Sequence, residues 1–239
     1  MTYAEKIIAF NKSLEILELL PQGVEVLNPF RGEHAAQILP IVETFYRKFY
    51  ADENPRKLIL GINPGRLGAG STGLPFTDTK RLNDDCGITF ETFKTHEPSS
   101  VFVYDVINAF GGPTAFYKDF YIGSVCPLGF VQPGKNGLVN INYYDDKFLE
   151  KAVTPFIIKS INQQLDFGLD RDTIFVLGTG KNFKFLNALN KKENFAKHIV
   201  PLEHPRFVMQ YRSKTKQAFI EKYLGALCVW RLQKISTSC

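Results

Sequence analysis

Three polar side chains stand where apolar runs stop, and each offers different chemistry. Asn63 follows Leu58-Ile59-Leu60, Ser124 closes Phe120-Tyr121-Ile122-Gly123, and His204 follows Ile199-Val200-Pro201-Leu202. An amide orients a partner without being a strong base, a hydroxyl both donates and accepts, and an imidazole moves a proton near neutrality. Asn63 also opens a glycine-rich stretch, Gly65, Gly68, Gly70 and Gly73, stiffened by Pro64 and Pro75. Such a loop lets backbone N–H groups approach a ligand. Its spacing fits neither common phosphate loop. Gly70 is followed by Ser71 and Thr72 with no lysine, and Gly68-Ala69-Gly70 leads into Leu74-Pro75-Phe76 instead of a long helix.

Alternating strands and helices must position these residues. Tyr3 to Leu20 carries Ile7, Phe10, Leu14 and Leu17 at helical spacing and stops at Pro21, and Asn28-Pro29-Phe30 starts a second helix through about Tyr50. Lys57 to Asp78 reads as a buried strand, with Leu58-Ile59-Leu60 as its apolar run, that breaks into the glycine-rich loop from Gly61. Arg81 to Glu97 reads as loop with short helical pieces. Ser99 to Gly112 is either a strand, from Val101-Phe102-Val103-Tyr104, or a helix capped by Ser99 or Ser100 and ended by Gly111-Gly112-Pro113.

Phe120 to Val125 is a strand leading into a Gly/Pro/Asn loop that ends near Asn142. Tyr144 to Phe167 has helical periodicity, with Pro155 as a kink or boundary. Thr173 to Leu177 is an apolar strand, followed by Gly178-Thr179-Gly180-Lys181 and a helix of about ten residues. A single GxG is weak evidence for a nucleotide, and a phosphate on the helix N-terminus beside Lys181 suits it better. His198 to His204 is a strand ended by Pro205, and a last helix, capped by Ser213, runs to Leu224 and closes at Gly225. The expected fold is α/β, a three-layer α/β/α sandwich around a mostly parallel sheet of about four strands. One domain over 1–239 is expected, with helices packed on the sheet over 1–55 and the core over 57–225. In a parallel arrangement the three strand ends converge on one crevice.

Composition narrows the setting. With 22% charged and 44% hydrophobic residues the chain suits a soluble globular protein, and 239 residues bury a full core without disulfides. A net charge of +5 permits an anionic partner without demanding one. Cys86, Cys126, Cys228 and Cys239 show no metal spacing, so no metal or iron–sulfur cofactor is expected, and reduced thiols suit a cytosol. The start, Met1-Thr2-Tyr3-Ala4-Glu5-Lys6, lacks a signal-peptide layout, and no apolar run has membrane-spanning length.

Taken together, the motifs resemble a known family. GINPGRLGAGSTGLPF is similar to the first motif of the uracil-DNA glycosylase superfamily, and LEHPRF to the second. FYIGSVCPLGFVQPGKN, between them, resembles the base-reading strand of the single-strand-selective monofunctional (SMUG-type) branch. The similarity spans Lys57 to Tyr223. The mismatch-specific branch has asparagine at the place of His204, and the uracil-specific branch has aspartate at the place of Asn63, so asparagine with histidine points to the SMUG-type branch in a bacterial-like variant.

The resemblance implies a monofunctional DNA glycosylase for base excision repair, without cofactor or metal, acting as a monomer on DNA with a flipped base in the bacterial cytosol or nucleoid. His204 would donate to the base carbonyl as charge develops there, a contribution of about 10²–10³ in rate. Asn63 would hold the attacking water, and Phe76 would stack on the base. Ile62 and Pro64 would shape the wall, and the N–H groups from Gly65 to Gly68 would receive a base or phosphate oxygen. The family's base-reading asparagine is replaced by Ser124, which cannot span donor and acceptor together, so 5-substituted uracils and deaminated purines are expected substrates beside uracil. Arg206 and Phe207 would contact phosphate and wedge the stack, and Lys181 would add salt-sensitive affinity. A nucleic-acid-binding protein of the same fold without turnover is the alternative, and a nucleotide-dependent enzyme using Gly178 to Lys181 is a third reading.

Overall fold

The computed structural model describes residues 1–236, and side chains through residue 228. Among the described residues, strands β1 (Glu25–Leu27), β2 (Lys57–Gly61), β3 (Phe120–Ser124), β4 (Gly129–Gly134), β5 (Gly137–Ile141), β6 (Asp170–Leu177) and β7 (His198–Leu202) are interspersed with ten helices. These are α1 (Tyr3–Ser13), α2 (Ala35–Phe49), α3 (Ala69–Thr72), α4 (Thr79–Asp84), α5 (Pro98–Phe110), α6 (Pro113–Asp119), α7 (Lys147–Leu165), α8 (Lys181–Glu193), α9 (Pro205–Tyr211) and α10 (Lys216–Ser236). No described helix is long and apolar enough to cross a membrane.

The main sheet has the order β3-β2-β6-β7 and is parallel throughout, the α/β architecture read from the sequence. Leu58, Leu60, Ile174 and Val176 are fully buried, as strands covered on both faces by helices must be. Helix α1 packs on α2 and α7, while α5 packs on α9 and α10. Register decides where the chemistry emerges. Gly61 pairs with Ser124, Leu60 with Val176, and Leu177 with Leu202, so the four strands finish level. Asn63, Ser124 and His204 therefore leave the sheet along one rim. The opposite rim carries the strand starts, where Lys57 Nζ pairs with Asp170 at 2.8 Å.

Several elements differ from the expectations, each for a local reason. Helix α1 stops at Ser13, not Leu20, because the Asn28 side chain takes the Leu14 carbonyl at 2.9 Å, the acceptor a longer helix would need. Leu17 and Leu19 are left exposed. Helix α2 starts at Ala35, since Asn28 Oδ1 accepts from the Phe30 N–H at 3.0 Å and holds Asn28-Pro29-Phe30 as a turn. Residues 98–110 are helical despite the β-formers at 101–104, because burial of Phe102, Val103, Tyr104, Val106 and Ile107 against neighbouring elements overrides propensity.

The Gly/Pro/Asn segment before Asn142 is a hairpin, β4 and β5, which pairs with β1 in a second, antiparallel sheet. Only its base is buried, so no hydrophobic alternation marks it. Helix α7 begins at Lys147 and passes through Pro155 unbroken, with the proline facing solvent. Strand β6 begins at Asp170, and α8 extends to 13 residues. Strand β7 ends at Leu202, and His204 caps α9 with Pro205 in its first turn. Helix α10 starts after a 3₁₀ turn at Ser213–Thr215 and continues through Gly225 instead of closing there. Cys239 lies outside the described residues.

Candidate active site

Asn63, Ser124 and His204 line one open cavity of about 330 Å³ on the rim where the strands end. Ile62, Pro64, Gly65 and Phe76 share its wall, and Arg206 and Phe207 stand at its α9 side. Its size falls within the usual range of ligand pockets.

Asn63 is fixed at both ends of its amide. Nδ2 donates to the Ile141 carbonyl at 3.2 Å, and Oδ1 accepts from the Tyr143 N–H at 3.1 Å. Nδ2 also donates to the Pro64 carbonyl at 3.4 Å, so both of its N–H groups are engaged, and the second lone pair of Oδ1 remains to orient a small polar ligand. The same two bonds clamp the exit of the β4–β5 hairpin onto the loop after β2. Asn140 adds a third tie, its Oδ1 accepting from the Arg66 N–H at 3.1 Å.

His204 has its tautomer set by the backbone. Nδ1 accepts from the Arg206 N–H at 3.1 Å, which leaves the proton on Nε2. The Phe76 ring lies 5.9 Å from the imidazole, centroid to centroid, and is largely buried. Its backbone is held at φ +51°, an uncommon conformation for a bulky side chain. Gly61 makes the ring's position possible, since a Cβ there would stand 3.1 Å from Phe76 Cε2. Ser124 lies against the same cavity, and its Oγ has no hydrogen-bond partner among the described residues.

The profile of the family described as the uracil DNA glycosylase superfamily matches residues 47–228. The chain belongs to the uracil DNA glycosylase superfamily. The structure is also similar to the crystal structure of wild-type SMUG2 from Pedobacter heparinus, with a TM-score of 0.94 and 55% identity over 97% of this chain and 99% of that one. No curated protein sequence matches. The SMUG-type branch inferred from the asparagine–histidine pair is the branch of this neighbour. The protein is thus a uracil-DNA glycosylase, a hydrolase acting on DNA.

The remaining expected residues fall in different places around the glycosylase cavity. Gly68 lies off the cavity wall. Its N–H, like that of Gly70, donates to the Gly65 carbonyl, at 3.0 and 2.9 Å, and the Glu97 carboxyl covers its Cα. The expected contact between the Gly68 amide and a ligand oxygen is corrected accordingly. Lys181 stands outside the cavity lining, at the start of α8. Its Nζ is 3.6 Å from Asp145 and 5.7 Å from the centroid of Tyr144, which does line the cavity.

Sequence reasoning missed Glu97, Asn140, Asn142, Tyr144 and Gln210 on the wall. Asn140 and Asn142 arrive on the hairpin, and Gln210 on α9, two elements hidden in the sequence. Burial first, then Asp78 nearby, pushes the Glu97 carboxyl up to about 7, with Arg206 opposing.

Burial pushes the His204 imidazole down to about 4, and the Arg206 charge adds to the shift. At neutral pH it is therefore an uncharged donor through Nε2–H. The sign for stability follows from linkage. The unfolded chain, with an ordinary value of 6.5, binds the proton first as pH falls. Stability is full above that value and is lost as pH drops toward 4. Urea unfolding of wild type should weaken over this window more steeply than that of His204→Gln, and parallel curves would contradict it.

Proposed function

We propose that this uracil-DNA glycosylase hydrolyses the N-glycosidic bond of uracil and of related damaged bases, including 5-hydroxymethyluracil and deaminated purines, after extruding the base from DNA. The carrying observation is that the Asn63 amide and the His204 imidazole line one cavity with the Phe76 ring beside them.

The extruded base enters the cavity and stacks on Phe76, while Ile62, Pro64 and Gly65 shape its surroundings. As the glycosidic bond breaks, its electron pair leaves with the base, and His204 Nε2–H donates to the carbonyl oxygen that gains charge. The water oxygen bonds to the sugar's anomeric carbon, and the proton it releases passes through solvent to the base anion, leaving a neutral base and an abasic sugar. Asn63 orients that water with the Oδ1 lone pair that the Tyr143 N–H leaves free. An amide is too weak a base to do more, so departure of the base leads.

Ser124 supports the broad substrate range. Its hydroxyl presents one group to the base edge where an amide would present a donor and an acceptor in fixed geometry. A panel of single-stranded oligonucleotides, each with one lesion, followed by alkaline cleavage, tests this. Cutting of uracil and at least one larger or 5-substituted base is expected. Efficient cutting of uracil with 5-hydroxymethyluracil untouched would defeat the reading.

Arg206 and Phe207 suit the DNA side. Phe207 is 40% exposed, with Tyr211 5.6 Å from its ring and Arg212 5.6 Å from its centroid. An exposed aromatic group braced in this way can fill the gap left by an extruded base, an event that costs a few kcal/mol. Lys181, 68% exposed, contributes charge alone. Lys181→Ala should reduce the slope of log affinity against log salt by about 1 and leave kcat unchanged, as fluorescence anisotropy over a salt series would reveal. The protein is expected to act as a monomer in a bacterial cytosol.

A further inference from the structure

Behind the base-reading strand lies a second, small cavity of about 30 Å³, lined by two residues that each carry a buried polar atom without a hydrogen bond of good geometry. Gln164 on α7 is fully buried. Its Nε2 donates to the Ser124 and Ser160 carbonyls, both at 3.2 Å. Because both partners are carbonyls, the amide has only one sensible orientation, which leaves Oε1 unpaired against Gly123. There a Cβ would stand 2.0 Å from it, so β3 needs glycine at this point. Asn11, 6% exposed on α1, lines the same cavity, and its Nδ2 has no hydrogen bond of good geometry. The Tyr46 hydroxyl, also on the lining, engages the Asn11 side chain, which leaves one N–H of Nδ2 for a further partner.

One donor and one acceptor thus look into a space of the size that holds a water. This cavity shares Pro64, Ala69, Pro75 and Ser124 with the reaction cavity. We propose that Asn11 and Gln164 bind one buried water between them, and that this bridge makes both positioning residues for base discrimination at Ser124. The water accepts from Asn11 Nδ2 and donates to Gln164 Oε1. It fixes the Gln164 amide, which holds the Ser124 carbonyl, so the wall facing the base cannot shift. Asn11 lies outside residues 47–228, the stretch matched by the superfamily profile, so this link would tie the N-terminal helix to the wall of the reaction cavity.

The inference rests on the reading of Ser124 as a base contact, and the experiment separates the two. A crystal structure of the wild-type protein at about 1.5 Å should show a water within roughly 2.7–3.2 Å of both Asn11 and Gln164. Asn11→Leu fills the space with an apolar group. It should change, by about 5-fold, the ratio of kcat/KM for uracil to that for the fastest-cut larger base of the panel, or kcat/KM for uracil where no larger base is cut. Asn11→Ser keeps a polar partner and should restore the wild-type value, which a purely structural role would not predict. Thermal unfolding establishes that each variant is folded. A dry cavity, or a folded Asn11→Leu with wild-type kinetics, overturns the proposal. If the water is present and Ser124→Ala leaves the same value unchanged, the base-contact reading of Ser124 fails and discrimination fails with it.

Discussion

His204→Ala should lower kcat on uracil-containing DNA by about 10²–10³ while leaving the affinity for that DNA within a few-fold of wild type. The imidazole is uncharged, its Nδ1 is engaged by the Arg206 N–H, and its remaining donor faces the cavity beside Phe76. Such a donor gains strength only as the departing base becomes negative, so its removal falls on kcat and spares binding. Two controls sharpen the result. The side chain also caps α9, and losing a cap costs about 1 kcal/mol, so an unfolding curve must accompany the kinetics. Single-turnover assays on preformed complexes separate chemistry from product release. A variant that forms abasic sites at the wild-type rate would remove His204 from the mechanism. A wild-type protein that binds DNA without forming abasic sites would favour the reading as a binding protein without turnover.

Asn63→Ala should cost kcat on the order of 10²-fold, the penalty typical of a misplaced reactant. Its second effect distinguishes it from the histidine variant. The Asn63 amide also ties the Ile141 carbonyl and the Tyr143 N–H, so alanine loosens the hairpin exit together with Asn140, Asn142 and Tyr144 on the wall. Amide hydrogen exchange at Tyr143 should accelerate in Asn63→Ala and stay at the wild-type rate in His204→Ala. Asn63→Asp should not rescue, because a carboxylate oxygen would then face the Ile141 carbonyl without a proton between them. Unchanged exchange at Tyr143 in the alanine variant would mean that the clamp is not what holds the loop.

The sequence revealed whatever depends on short-range pattern. Leu58-Ile59-Leu60 and Thr173 to Leu177 read as strands because both of their faces are covered, and parallel order then brought Asn63, Ser124 and His204 to one rim. It was silent where pairing, not pattern, makes the element. The β4–β5 hairpin is mostly exposed and rich in turn residues, so the asparagines it delivers could not be placed. Helix α9 was hidden by Pro205, which reads as a strand terminator but here sits in the first turn of a helix. Gly68 shows the limit of motif reading. A glycine in a loop that approaches ligands is here spent on an internal turn and on room for Glu97.

The level finish of the four strands leaves the far rim free of any part in the reaction. Lys197, which precedes β7 and pairs with Asp172 at 2.7 Å on the surface, is 76% exposed there. Anchoring the molecule to a bead or a sensor chip through that rim would point its working end at the bulk solution, so repair of a stretched polynucleotide could be watched one molecule at a time without the support blocking access.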